Sequence, residues 1–450
     1  MINLFQDRQF YKKFIYIAGP IAVQNLLMSS LALVDIVMIG QLGETAIAAV
    51  GLGGQVFFLS TLLFYGISSG GAVFFAQFWG RKDIKSIKKT IFLVVLLAEA
   101  GAAVLSTMAI TIPEYIINIF TTDTAVIAAG SVYLTITGIS FVFTALSIAY
   151  SLALRSIGKA SLPLKATIVS ITVNTGLNYI LIFGKLGFPE MGITGAAIAT
   201  TVSRFIEMSI IVIYVYKSKS VLAAGIKDFL NLKKEFVKKY FKTTFPVILN
   251  ELAWATGMLV YKIVYARMGT DTIATIGITE TTDSLIFSFL LGSANACAIM
   301  TGNKIGERDI EGVHIYSRRF LILAFFLGIS GGSILLLIAP HVPLLFNVSD
   351  SVRRSATLVM YILAAFTVVK SFNLHFVIGM FRGGGDTKFS FLIDIIGTWF
   401  VGVPLAVLFG LILKFPLHIV VLIIILEEAI KAVLGFFRYR SNKWIHDVAD

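Results

Sequence analysis

Asp35 is the only charged residue between Lys13 and Glu44, set in the apolar stretch LALVDIVMIG. A carboxylate surrounded by hydrocarbon costs at least ~2.5–3.5 kcal/mol, so it has to face a cavity or a partner. Burial favours the protonated form of a carboxyl group, and a nearby cation or donor favours the ionised form. A group poised between the two can alternate between protonated and ionised states in a cycle. Gln24 lies eleven residues earlier, about 20° away around a helix, so it shares a stripe with Asp35, and Met28 lies on the same side. Asn174 and Asn178, four residues apart, occupy one helix face; amides placed so also serve simply to hold helices together. Farther on, Glu280 and Asp283 are three apart on one face and, with Glu251 and Asp394, are the acidic groups that could attract a cationic substrate. Other chemistry lacks its residues. Cys297 is the only cysteine and the five histidines follow no metal-ligand spacing. No Walker A sequence offers ATP a site, and no catalytic cluster marks an enzyme or a resident cofactor.

The elements that must position these groups follow from composition. Of 450 residues 57% are apolar and 14% charged, with a mean hydropathy of +0.89; soluble domains carry roughly 25% charged residues. The apolar residues fall in blocks that match the ~20 residues needed to cross a bilayer. We read an all-α polytopic membrane protein with twelve spans, at 14–40, 46–79, 90–112, 124–154, 161–184, 193–216, 243–265, 272–302, 316–339, 353–380, 388–411 and 417–440. The net charge of +12 is placed by the loops. One set holds Arg81, Lys82, Lys85, Lys88, Lys89, Arg155, Lys159, Lys304, Arg308, Arg318, Arg319, Arg382 and Lys388; the other has little beyond Lys185, Arg267, Arg353, Arg354 and Lys414. The richer side is expected in the cytoplasm, with both termini. The basic connection 217–242, with Lys227, Phe229 and Leu230 among its alternating cations and apolar residues, reads as an amphipathic helix on the inner leaflet rather than a nucleic-acid site.

The chain also repeats itself. At an offset of 226, Pro20 falls on Pro246, Gly43 on Gly269, Gly51 on Gly277, Gly66 on Gly292, Ala72 on Ala298, and Gly80-Arg81-Lys82-Asp83-Ile84 on Gly306-Glu307-Arg308-Asp309-Ile310. One register further, Arg155 and Gly158 fall on Arg382 and Gly385. Six helices per repeat give both halves one orientation. The expected architecture is therefore two six-helix bundles, 1–216 and 243–450, joined by 217–242 and related by a pseudo-twofold axis along the membrane normal. Transporters that alternate access by rocking two bundles are built so.

The stretches VDIVMIGQLGETAIAAVGLG, AQFWGRKD, NTGLNYILIFGKLGFPEMGITGAAIATTVSR, GNKIGERD and FRGGGDTKF resemble the multidrug and toxic compound extrusion family, in its order and over nearly the whole chain, with a Gram-positive, DinF-like cast. The resemblance implies twelve helices in two lobes and a secondary antiporter. Such a protein exports small amphipathic or cationic drug-like compounds across a bacterial inner membrane in exchange for H+ or Na+, and a single chain suffices. It also implies that Asp35 is the cation-coupled residue, facing Asn174 and Asn178 with Thr200 in the same pocket, an oxygen set suited to Na+ or, through Asp35 alone, to a proton. One branch of the family carries further carboxylates where this chain has Trp254 and Ser371; Glu251, one turn before Trp254, is the expected substitute. A flippase of lipid-linked saccharides from the same superfamily is the alternative, but the intramembrane charges of the cleft candidates are mainly acidic, which favours a cationic drug.

Overall fold

The structure, a computed structural model, describes residues 7–225, 228 and 232–449; Lys227, Phe229 and Leu230 of the basic connection lie outside the described residues. All of the named elements are helical. Among the described residues ten helices are long and apolar enough to cross a membrane: spans 1 (Arg8–Gly40), 2 (Glu44–Arg81), 3 (Ile84–Thr111), 4 (Thr124–Ser156), 6 (Gly192–Lys217), 7 (Lys234–Met268), 8 (Thr270–Gly306), 9 (Ile310–Ile338), 10 (Asp350–Arg382) and 11 (Thr387–Ile412). Span 5 (Ser161–Ile182) and span 12 (Leu417–Ile424 with Leu426–Arg440) complete the twelve. Span 5 is less apolar, and span 12 is interrupted at Ile425 into two shorter helices, the second opening on Glu427 and Glu428. Span 5 buries Thr167, Ser170, Asn174 and Asn178, and span 12 buries Glu427 and Lys431, so their polar groups point into protein and not lipid.

Several helices begin earlier than hydropathy suggests, because the excess turns are polar. Span 7 starts at Lys234, so the last nine residues of the expected surface helix are its first turns. Tyr240 there is fully buried, stacked on Phe74 at 5.5 Å with its hydroxyl 3.2 Å from the Ile67 carbonyl. Pro20 and Pro246 lie inside spans 1 and 7, where each removes one helix hydrogen bond.

The repeated motifs are repeated geometry. Lys82 and Arg308 both have φ 59°, a left-handed turn after which Asp83 and Asp309 cap spans 3 and 9 by accepting from the amides of Ser86 (3.0 Å) and Gly312 (2.8 Å). Gly158 and Gly385 have φ +81° and +82°, where a side chain would be strained. Gly80 lies against the Asn303 carbonyl and Gly306 against the Gln77 carbonyl, so the ends of spans 2 and 8 cross with no room for a Cβ on either.

Packing divides the chain into two units. An N unit holds Val23–Phe75 and Asp83–Tyr240; a C unit holds residues up to Ala22, Ala76–Lys82 and Phe241 onward. In the C unit the chain turns back after span 12. Trp444 is fully buried and stacks on Tyr439. The His446 amide donates to the Gly384 carbonyl (2.8 Å), and Gln77 donates to the His446 carbonyl (3.0 Å) and accepts from the Val448 amide (2.7 Å). Arg81 closes the strap on Asp447 at 2.6 Å.

Candidate cation and substrate sites

In the N unit spans 1, 4, 5 and 6 bring their polar stripes together. Asn178 Nδ2 donates to Asp35 Oδ1 (2.7 Å) and to Asn174 Oδ1 (3.1 Å), while Asn174 Nδ2 reaches Ser203 Oγ at 3.4 Å. Ser203 Oγ in turn donates to the Thr200 carbonyl (2.8 Å), and Tyr133 touches the Thr200 hydroxyl. The structure thus gathers Asp35, Asn174, Asn178 and Thr200 in one place. The buried Asn178 Oδ1 has no donor, so an unsatisfied acceptor sits beside the carboxylate.

Gln24, a stripe-mate of Asp35, belongs to a second network. Arg155 Nη2 donates to Gln24 Oε1 (2.7 Å), Gln24 Nε2 to Thr167 Oγ1 (2.8 Å), and Thr167 Oγ1 to Glu207 Oε1 (2.6 Å). Arg204 Nη1 holds the other Glu207 oxygen at 2.9 Å. Glu207 thus joins its i,i+3 neighbour Arg204 to the Thr167 hydroxyl of span 5. Met28 is half-buried on span 1.

The C unit is richer in charge than its sequence suggests. Arg382 Nη1 bonds Glu251 at 2.7 Å, Lys262 lies 3.4 Å from Glu280, and Lys370 pairs with Asp283 at 2.5 Å. Asp394 accepts from Asn250 (2.9 Å) and faces Lys431 at 3.6 Å. Each of the four acidic cleft candidates, Glu251, Glu280, Asp283 and Asp394, therefore faces a cation, which reduces what it can offer a cationic substrate. Trp254 is half-buried one turn after Glu251. Arg155, Arg319 and Arg382, counted as loop cations on sequence, are buried: Arg319 is held by Asp7, and the other two by span 1 and span 7 residues. Lys82, Lys85 and Arg308, by contrast, are exposed.

Repeat register links the two networks. The offset that places Arg155 on Arg382 also places Gln24 on Glu251, Thr167 on Asp394, Thr200 on Glu427 and Arg204 on Lys431. In each unit an arginine from the fourth helix of the repeat bonds a polar group on the first helix. In the C unit the neutral partners of the N unit are replaced by carboxylates.

The MatE family model matches the chain twice, over residues 20–180 and 246–408, in register with the internal repeat. The chain belongs to the MatE family. Among relatives of this MatE protein, the uncharacterised transporter YisQ of Bacillus subtilis (strain 168) is 26% identical over 434 residues, covering 95% of this chain and 93% of its own. A probable multidrug resistance protein NorM of Thermotoga maritima is 25% identical over 436 residues, covering 96% and 93%. Solved structures of a MATE protein in complex with MaL6 and of MATE in the straight conformation superpose with TM-scores of 0.88 and 0.87 at 22% identity, each covering 96% of this chain and 95% of the other. The likeness to solved structures shows the fold, and the relatives named are transporters. This MatE protein is accordingly a multi-pass membrane protein of a bacterial transporter family.

Proposed function

We propose that the chain is a secondary antiporter that exports amphipathic or cationic compounds in exchange for a monovalent cation, H+ or Na+. It lies in a bacterial inner membrane with both termini in the cytoplasm. Asp35 binds the coupling ion, with Asn174, Asn178 and Thr200 around it. The observation that carries this reading is the Asp35–Asn178 pair at 2.7 Å with the unsatisfied Asn178 Oδ1 beside it. A carboxylate and a donorless carbonyl oxygen form a hard oxygen pair of the kind that suits a small cation, and a proton on Asp35 would satisfy the same acceptor. Substrate and ion then favour different conformations, and reciprocity of linkage makes each lower the affinity for the other.

The test is efflux of ethidium from proteoliposomes under an imposed proton gradient and, separately, a sodium gradient, with Asp35→Asn run beside the unaltered protein. Transport that follows one gradient and vanishes in Asp35→Asn is the expected result. Unchanged transport in Asp35→Asn removes the coupling role from that residue. Folded protein that moves no cation under either gradient refutes the drug-antiport reading and turns attention to lipid-linked substrates.

A further inference from the structure

Lys431 of span 12 is buried, and its ammonium faces three carboxylates: Glu427 at 3.5 Å, Asp394 at 3.6 Å and Glu428 at 3.8 Å, with the Thr398 hydroxyl at 3.3 Å. Each carboxylate turns its second oxygen to a neutral donor. Asn250 Nδ2 bonds Asp394 Oδ2 at 2.9 Å, the Tyr261 hydroxyl bonds Glu427 Oε2 at 2.6 Å, and Asn373 Nδ2 bonds Glu428 Oε2 at 2.5 Å. Three acids from spans 11 and 12 are thus oriented by spans 7 and 10 around one point. The surrounding backbone is shaped to the lysine. Gly397 packs on its aliphatic stem and Gly402 on the Tyr261–Glu427 pair, so a Cβ at either would displace them. Both glycines lie in the π-helical stretch Ile395–Gly402, a local widening of span 11.

The near-equal distances matter. A lysine recruited by one acid would sit close to it, as Lys370 does to Asp283 at 2.5 Å. Here the ammonium, a compact point charge, is shared among three arms at a separation that leaves it central. Its repeat counterpart Arg204 is instead committed to Glu207 at 2.9 Å, in the unit that keeps Asp35.

We propose that Asp394, Glu427, Glu428 and Thr398 form a binding cage for a small monovalent cation of the ammonium class, and that Lys431 is its tethered occupant. The C unit carries its cation as part of the chain. A consequence, which rests on the antiport reading above, is that ion exchange is confined to the Asp35 unit.

The experiment is a thermal-unfolding titration of the full-length detergent-solubilised protein and Lys431→Met with ammonium chloride, which matches the one nitrogen that methionine leaves vacant, and with choline chloride as a cation too large for the cage. A ligand that binds the folded state alone raises its stability with concentration. We expect Lys431→Met to melt lower than the unaltered protein and to regain at least about 3 °C in ammonium but not in choline, with the unaltered protein responding to neither. Lys431→Met/Glu428→Gln, with one fewer charge to compensate, is the second variant should the first not fold, and it carries the same expectation. Lys431→Met/Asp394→Asn/Glu427→Gln should fold and lose the response. If neither lysine-less variant responds, or if ammonium and choline act alike, or if the unaltered protein responds equally, the cage is refuted. Asp35 is intact throughout and no transport is read, so this outcome is separate from that of the antiport test.

Discussion

Replacing Thr167 by valine keeps the shape of the side chain and removes one hydroxyl from the middle of the N-unit network. That hydroxyl accepts from Gln24 at 2.8 Å and donates to Glu207 at 2.6 Å, and all three residues are buried. Two regimes are possible for such a loss. Interhelical hydrogen bonds in membrane proteins average only ~0.6 kcal/mol by double-mutant cycles, with a maximum near ~1.7, because the unfolded chain finds other partners. A buried charged group deprived of a partner loses more, ~1.5–3 kcal/mol for its hydrogen bond, with a further penalty where the orphaned group stays dry. Glu207 is held on its other oxygen by Arg204 at 2.9 Å, and Gln24 is fixed on its other end by Arg155, so neither can turn to a new partner. We therefore expect Thr167→Val to cost about 2–4 kcal/mol. Reversible unfolding in mixed micelles measures it, with Thr172→Val as the control, since the exposed Thr172 hydroxyl bonds only the carbonyl of its own helix. Thr167→Ser should recover most of the loss. A Thr167→Val cost within about 0.6 kcal/mol of the Thr172 control would refute the claim that the network is held as a unit.

Three further expectations concern the C unit. Arg382→Gln, which leaves Glu251, whose side chain is only 12% exposed, without its cation, should cost about 3–5 kcal/mol in the same unfolding assay. Glu251→Gln should cost about 1–1.5 kcal/mol, because the repeat-equivalent Arg155 already bonds a neutral glutamine at 2.7 Å; equal costs would contradict the repeat argument. Gly80→Ala and Gly306→Ala should each lower the melting temperature by several degrees, since the added carbon meets a backbone carbonyl of the crossing helix, whereas Gly51→Ala, with open space around it, should be neutral or stabilising. Asp386, between spans 10 and 11, is buried, which alone would raise its pKa, but hydrogen bonds from His446 and Arg438 outweigh burial and hold it below the usual carboxylate range. Its contribution is complete above the ordinary aspartate value of about 4 and is lost as pH falls through the lowered one. The 5-fluorotryptophan resonance of Trp444 should therefore keep its buried shift down to about pH 4 and lose it in stronger acid. In Asp386→Asn that acid-dependent step should be absent.

Hydropathy by itself located the spans, because crossing a bilayer demands long apolar blocks whatever the packing. The glycine and proline matches revealed the repeat for an equally local reason: a left-handed turn at Gly158 or a backbone crossing at Gly80 admits few other residues. Helical periodicity together with the family resemblance brought Asp35, Asn174 and Asn178 to one pocket. The ends of the helices were less legible, since polar turns such as Lys234–Lys242 read alike whether they lie on a membrane or extend a span. The partners of Arg155, Arg382 and Lys370, the span 11 partners of Lys431, and the return of Trp444 onto the Gly384–Asp386 turn were settled only in three dimensions. The two arginines and Lys370 pair with residues 87 to 131 positions away, and the contacts of Lys431 with span 11 depend on how far each helix is rotated about its axis. A rotation of one residue's worth, about 100°, would turn Lys431, together with Glu427 and Glu428 on the same helix, away from Asp394 and Thr398 of span 11. No pattern within span 12 records that angle, because it is set by the packing of spans 7, 10 and 11 around it.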